Sequence, residues 1–132
     1  MNSSTRNVLA VMLAGLWINA SEFFRNEVLL KTVWVDHYQS LGLVFPSKPL
    51  NGVVWVAWGF LFAIALFLIS RKFTLVQTAL LAWFTGFVLM WVVTWNLTVL
   101  PSAILVYAIP LSLLEAVVAA ALCFAVAPDR SD

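Results

Sequence analysis

Hydrophobic residues form four long runs along the chain, separated by shorter polar connections. The runs cover residues 7–30, 50–70, 73–96 and 102–127. A helix of about 20 apolar residues spans the roughly 30 Å hydrocarbon core of a bilayer. We therefore predict an all-α membrane protein, with a single integral domain over residues 1–132 folded as a four-helix transmembrane bundle.

The connections between the runs differ in length. Only Arg71 and Lys72 separate the second run from the third, which predicts a tight antiparallel hairpin. Residues 97–101 join the third run to the fourth, and Pro101 suits the first turn of a helix. Residues 31–49 form the one sizeable connection, and apolar and aromatic residues within 31–42 predict a short interfacial helix or re-entrant turn covering the bundle.

Positive charges are distributed unevenly between the two ends of the predicted bundle. Four basic residues lie at the end that holds both termini, two lie at the opposite end, and one further arginine lies near that opposite end. The four at the end with the termini are Arg6, Arg71, Lys72 and Arg130. The two at the opposite end are Lys31 and Lys48, and the further arginine is Arg25. Because short loops rich in Lys and Arg stay in the cytoplasm, we predict a multi-pass protein of the cell inner membrane with both termini cytoplasmic.

The first run has a second interpretation. Arg6 followed by an apolar stretch and then Ala20 resembles a secretory signal peptide cleaved after Ala20. Ile18 occupies a position that needs a small residue, so we favour a retained first helix over cleavage of residues 1–20.

The composition fits a membrane protein and excludes several functions. Hydrophobic residues make up 64% of the chain and charged residues 10%, against about 25% charged residues in soluble domains. The net charge of +1 provides no basic surface for nucleic acid. Cys123 is the only cysteine, which excludes an intramolecular disulfide. The expected partners are the lipid bilayer and further protein chains, in a homo-oligomer or a membrane complex.

Two glutamates lie within the predicted spans. Glu115 is near the centre of the fourth run, where an ionisable side chain costs at least about 2.5–3.5 kcal/mol unless a partner or a function compensates it. Glu22 shares one face of the first helix with Asn19 and Asn26, and Arg25 follows it at i+3. Because the two glutamates lie at similar depth, we predict a buried polar site built from these residues between the first and fourth helices.

This polar site has two physically reasonable interpretations. If the arginine is close to both carboxylates, the site is a hydrogen-bonded lock between two helices. If no cation is close, the site is protonatable or binds a cation, as in proton-coupled carriers. The distances from Glu115 to Glu22 and to Arg25 decide between the two.

Aromatic side chains concentrate near the predicted outer end of the bundle. One interpretation is an interfacial belt, and the other is a pocket for an apolar or cationic ligand. The residues are Trp34, Tyr38, Trp55, Trp58, Trp91, Trp95 and Tyr107.

Helical periodicity gives two further expectations about helix faces. Trp17, Phe24 and Val28 lie opposite the polar stripe of the first helix and should face acyl chains. Five polar residues of the third run lie near one face, which predicts an inward seam of interhelical hydrogen bonds. They are Thr74, Gln77, Thr78, Thr85 and Asn96.

No catalytic motif is present, and His37, the only histidine, has no second His or Cys with which to bind a metal. We therefore predict no enzyme activity, no metal and no cofactor. The leading hypothesis is a homo-oligomer or complex subunit locked by Glu22, Arg25 and Glu115. The first alternative is a small proton- or cation-coupled transporter or channel using Glu115. The second is a membrane anchor or subunit of an enzyme complex.

Overall fold

Five helices account for the regular structure of the computed structural model, which describes residues 1–128. Four are long: α1 (Ser3–Leu29), α3 (Pro49–Ser70), α4 (Leu75–Asn96) and α5 (Ser102–Val126). The fifth, α2 (Lys31–Ser40), is short and follows α1. All four long helices are long and apolar enough to cross a membrane, which confirms the helices predicted from the hydrophobic runs. Arg130, one of the four basic residues on the predicted cytoplasmic side, lies outside the described residues.

Capping side chains explain where two helices begin. Asn2 Oδ1 accepts a hydrogen bond of 2.8 Å from the Thr5 backbone N–H, so α1 starts four residues before the predicted position 7. Thr74 and Gln77 cap α4 reciprocally, with side-chain-to-backbone distances of 3.3 and 3.1 Å. These bonds satisfy amide groups that have no partner within the first turn of a helix.

The α1 helix is central to the packing. It contacts α3 along one side and α5 along another, while α4 packs against α5 and α3. The α1–α3 crossing is close because Gly15 of α1 and Gly59 of α3 carry no side chain there. Asn19 fills this crossing and donates to the Gly15 carbonyl at 2.9 Å and to the Val56 carbonyl at 3.3 Å. Buried alanines allow a similarly close approach elsewhere in the core.

Large apolar side chains are exposed on all four long helices. Leu61, Val76 and Val106 are 65%, 64% and 75% exposed, and many other Leu, Val, Ile and Phe residues are similarly open. Soluble monomers rarely expose contiguous apolar surface on this scale. The exposed faces are therefore suited to an apolar surrounding and support a membrane location.

Two long helices contain a π-helical turn. Phe24–Leu29 ends α1, and the Leu30 N–H reaches back to the Arg25 carbonyl at 2.9 Å, five residues earlier. Phe84–Val88 interrupts α4 in its middle. Such turns accommodate an extra residue within a helix and are frequent at functional sites.

The short α2 helix confirms the helical segment predicted within residues 31–42. It lies at one end of the long helices, together with the loop at residues 41–48 and the α4–α5 connection, and we call this the α2 end. The His37 ring nitrogen Nε2 lies 2.7 Å from the Thr98 carbonyl of that connection. Because a carbonyl only accepts, His37 donates this bond and ties α2 to the α4–α5 connection.

The two expectations about helix faces fail in part. Among the five polar residues of the third run, only Thr78 is buried, so the predicted inward seam is wrong. Thr85 is exposed and donates to the carbonyl of Leu81, one turn earlier in the same helix, at 2.7 Å, which lets a hydroxyl face an apolar surrounding.

In the first helix, Phe24 and Val28 are exposed as expected. Trp17 is half-buried and donates to the Glu115 carbonyl at 3.0 Å, so it contacts α5 and does not simply face outward.

Replacing Gly59 by alanine should loosen the α1–α3 crossing, because the added Cβ would lie 2.6 Å from Asn19 Nδ2. Asn19 cannot move aside without losing its two hydrogen bonds. We expect the free energy of unfolding to fall by about 1–3 kcal/mol, measured by SDS titration of the protein in mild detergent micelles. Gly52→Ala on the same helix is the control, since nothing lies within 4 Å of its added Cβ. Equal destabilisation of the two variants would contradict the close crossing.

Candidate polar site and adjoining cavity

The structure brings Glu22 and Arg25 of α1 together with Glu115 of α5. Arg25 donates from Nη2 to Glu22 Oε1, and its other terminal nitrogen, Nη1, lies 3.5 Å from Glu115 Oε1. The side chains of Arg25, Glu22 and Glu115 are only 5%, 4% and 0% exposed. We call these three residues the charged cluster. The arginine is therefore within ion-pair distance of both acids, and its pair with Glu115 joins α1 to α5.

Glu22 has a full set of hydrogen-bond partners. Besides Arg25, its carboxylate accepts from Asn26 Nδ2 at 3.0 Å and from Trp55 Nε1 at 3.3 Å. Asn26 in turn accepts from Trp34 Nε1 at 3.1 Å. These bonds connect α1 with α2 through Trp34 and with α3 through Trp55. A carboxylate held by several donors is well compensated for its burial.

Glu115 is compensated far less well. Neither of its carboxylate oxygens receives a hydrogen bond from the described residues, and Arg25 Nη1 approaches without hydrogen-bond geometry. Glu22 is an electrostatic neighbour of Glu115 as well. The charged cluster therefore holds one satisfied carboxylate and one whose only close cation within residues 1–128 is shared.

A cavity of about 470 Å³ lies beside the charged cluster at the α2 end. Glu22, Arg25 and Asn26 line it together with seven aromatic side chains. Five of the aromatic residues singled out from the sequence line this cavity, namely Trp34, Tyr38, Trp55, Trp58 and Trp91. Trp95 and Tyr107 are not among its lining residues and are 64% and 53% exposed.

Two further rings in the cavity wall were not predicted from the sequence. Phe45 packs edge-on against Tyr38, with 5.2 Å between the ring centroids. Phe87 lies under the guanidinium of Arg25, whose Cζ is 5.3 Å from the ring centroid. Phe45 stands next to Pro46 in the connection at residues 31–49, so its place in that connection could have identified it as a candidate for the cavity wall. Phe87 lies inside an apolar run and has no distinguishing pattern around it.

A second cavity, of about 630 Å³, lies on the other side of Glu22, between the α2 ends of α1 and α3. Glu22, Asn26 and Trp55 line both cavities. Asn19 lines only this second cavity, so it belongs to the α1–α3 crossing and has no hydrogen bond with Arg25 or Glu115. Three exposed or half-exposed charged residues line it too: Glu27, Lys31 and Lys48.

No group of three potential metal ligands among His, Cys, Asp and Glu occurs within residues 1–128. Comparison of the chain with protein-family models, with curated proteins and with solved structures finds no match. The geometry of the charged cluster and of the cavity beside it is therefore the basis for assigning a function.

Replacing Arg25 by glutamine should strongly destabilise the protein, because Glu22 and Glu115 would lose their shared cation. Removing one partner of a buried ion pair typically costs about 3–5 kcal/mol, measured as the free energy of unfolding in detergent micelles. Lys31→Gln is the matched control: Lys31 also pairs with a glutamate of α1, Glu27, at 2.8 Å, but both side chains are at least one-third exposed. We expect the control to change stability by less than about 1 kcal/mol.

The double variant Arg25→Gln with Glu115→Gln shows how much of this loss in stability comes from the Arg25–Glu115 pair and how much comes from the other contacts of Arg25. It should recover a substantial part of the loss, since the less compensated carboxylate is removed together with its cation. A double variant as unstable as Arg25→Gln alone would show that Glu115 contributes no interaction with Arg25.

Proposed function

We propose that the protein is an integral membrane protein that binds a small molecule in the 470 Å³ cavity. In this proposal α1, α3, α4 and α5 cross the bilayer, both termini are cytoplasmic, and the α2 end faces outward. The charged cluster serves two purposes, joining α1 to α5 and forming the polar end of the binding cavity. The observation that carries the proposal is that Glu22 and Arg25, although largely buried, line the cavity.

A purely structural role explains this arrangement less well. A buried ion pair is weak evidence for stability, because well-packed apolar residues of similar volume often replace it without loss. Small-molecule sites, in contrast, are typically concave, mostly apolar, about 300–1,000 Å³ in volume, and furnished with a few polar groups. The cavity beside the charged cluster has this size and this distribution of groups.

The α2 helix supports a binding role as well. Its residues Trp34 and Tyr38 form part of the cavity wall. Three side-chain hydrogen bonds among the described residues connect it to other segments, from Trp34 to Asn26, from His37 to the Thr98 carbonyl and from the partly exposed Lys31 to Glu27. A short helix held by few bonds is suited to cover a binding site and to release it.

Filling the cavity should abolish binding. Ala108 is buried in α5 and lines the cavity, so Ala108→Phe places a ring in its volume. We expect purified protein in lipid nanodiscs to bind the neutral dye prodan saturably, seen as energy transfer from the cavity tryptophans. The variant should weaken this binding about tenfold or more, the equivalent of 1.4 kcal/mol.

Ala121→Phe on the same helix is the matched control, because Ala121 is exposed and does not line the cavity. Helical circular dichroism verifies that each variant folds. Met90→Trp, at a more exposed point of the same wall, replaces Ala108→Phe if that variant does not fold. Wild-type protein that shows no saturable dye binding, or binding equal in wild type and both cavity variants, would sink the proposal.

A second candidate function is a small proton- or cation-coupled transporter that uses Glu115. The observation that favours it is a fully buried carboxylate that accepts no hydrogen bond of good geometry from residues 1–128, next to the satisfied Glu22. A proton or a cation at Glu115 would neutralise a buried charge that the shared Arg25 compensates only in part.

Vesicles that contain the protein and an internal pH dye test this second candidate. An imposed pH gradient should decay faster with wild-type protein than in empty vesicles, and Glu115→Gln should return the decay to the empty-vesicle rate. Glu27→Gln is the control, because Glu27 is largely exposed and pairs with Lys31. A wild-type rate equal to that of empty vesicles contradicts proton coupling.

A further inference from the structure

The cavity of about 470 Å³ opens sideways between α3 and α4. Leu50 and Val54 of α3 and Met90 of α4 line it and are 69%, 60% and 43% exposed. The first segment of α4, Leu75–Trp83, packs closely against α3 and α5 and buries three residues, whereas the last segment, Leu89–Asn96, packs closely against neither helix and buries none. The two helices therefore leave an opening at the α2 end, lined by Leu50, Val54 and Met90, which we call the lateral slit.

In an α3 helix that crosses the bilayer, the lateral slit lies within the hydrocarbon layer. The residues of α3 that line the cavity run from Leu50 to Trp58, which is about 12 Å of helix at 1.5 Å per residue. This length is less than half of the roughly 30 Å hydrocarbon core. The lateral slit therefore faces the acyl chains of the leaflet on the α2 side.

The route into the cavity from water is covered. Trp34 and Tyr38 of α2 and Phe45 of the following loop line the cavity at the α2 end and pack on one another, with ring centroids 5.2–6.4 Å apart. A ligand that enters without displacing α2 therefore comes from the membrane, through the lateral slit.

The charges that line the cavity cancel. Glu22 and Arg25 are its charged lining residues within residues 1–128 and form an ion pair, which makes the part that they line the charged end. The ring faces of Phe45 and Phe87 already carry Lys31 and Arg25. An ion that entered the cavity would lose hydration without gaining a free partner of opposite charge. The cavity therefore favours an uncharged ligand.

Two uncharged hydrogen-bond donors line the cavity as well. The Tyr38 hydroxyl and Asn51 Nδ2 donate to no acceptor within residues 1–128, since Asn51 uses only its Oδ1, in the cap of α3. Hydroxyl and amide donors bind carbonyl, ester and hydroxyl oxygens. A ligand with such oxygens at one end and an apolar body matches both these donors and the aromatic walls.

We propose that the cavity binds an uncharged single-chain lipid that enters from the membrane through the lateral slit. The oxygens of its head accept from Tyr38 and Asn51, and its chain lies against the aromatic walls and passes between Val54 and Met90 into the bilayer. This inference rests on the proposed binding function and adds the chemical class of the ligand and its route of entry.

A photoreactive lipid tests the inference directly. Wild-type protein is irradiated in nanodiscs that contain a small fraction of a monoacylglycerol with a diazirine in its chain, and mass spectrometry maps the labelled residues. We expect an excess of 1-oleoylglycerol to reduce the labelling of the lateral slit severalfold. Labelling of Leu61 and Val76, which are similarly exposed and do not line the cavity, should not fall. Labelling that the excess reduces nowhere, or equally at all exposed positions, overturns the inference.

Two charged analogues test the class of the ligand. Oleyl sulfate and oleyltrimethylammonium carry a chain of the same length on an anionic and on a cationic head. We expect 1-oleoylglycerol to reduce the labelling of the lateral slit at about one-tenth or less of the concentration that either analogue requires. A charged analogue as effective as 1-oleoylglycerol would show that the ligand class is wrong.

Val54→Trp tests the route, because a larger side chain narrows the lateral slit. The labelling that 1-oleoylglycerol competes away should fall severalfold in this variant. Val53→Trp is the matched control, since Val53 is 64% exposed and does not line this cavity. Equal competed labelling in the two variants contradicts entry through the slit. If Val54→Trp does not fold, as judged by circular dichroism, the wild-type comparison of the three lipids is the deciding result.

The same assays separate this inference from the proposed function. Saturable prodan binding without competed labelling leaves the binding cavity in place and removes only the lipid ligand. The absence of both saturable prodan binding and competed labelling removes the cavity's binding role as well.

Discussion

The position of Arg25 between two carboxylates is the interaction on which the rest of the arrangement depends. In a largely apolar interior, neither Glu22 nor Glu115 is tolerable without a cation, and the planar guanidinium can face both acids at once. Arg25 connects α1 with α5, and its partner Glu22 accepts from Trp55 of α3 and is linked through Asn26 to Trp34 of α2, so these bonds together connect four helices. A lysine, with one compact ammonium, lacks this fork-shaped geometry.

The distribution of polar and apolar groups explains how such a cluster persists. The four long helices expose leucine, valine and phenylalanine outward, while the most polar side chains of α1 and α5 face each other. Tight crossings at Gly15 and Gly59 and at the buried alanines bring the backbones close together. The surrounding helices then supply the hydrogen bonds that water would otherwise give. At the α2 end this packing opens, and aromatic side chains line the opening.

Much of the fold follows from the sequence, because hydropathy and helix length are local properties. The four long helices and the short α2 segment agree with prediction to within a few residues, and the remaining shifts come from caps such as Asn2 and Thr74. Counting residues from the helix ends was enough to expect Glu22 and Glu115 at one level. It was not enough to expect Phe87 beneath Arg25, or the indole of Trp17 on the Glu115 carbonyl, since such contacts depend on how the helices rotate against each other.

The two π-helical turns are one reason why these side-chain contacts could not be predicted from the sequence. They also position residues of the charged cluster and of the cavity wall. Arg25 and Asn26 lie in the first turn, and Phe87 lies in the second, so the contact between the guanidinium and the ring joins the two irregular segments directly. A π-helical turn shifts the faces of the residues that follow it relative to a count at 100° per residue. This shift is not the whole reason for the failed prediction in α4, since Thr74 and Gln77 precede the turn and are exposed as well. Wider turns weaken the helix locally, and proteins retain them mostly where a side chain must reach a particular place.

Here both turns aim side chains at the charged end of the cavity. The backbone irregularities, the shared arginine and the aromatic walls therefore converge on one location, which is the physical argument for treating it as a binding site and not as a packing defect.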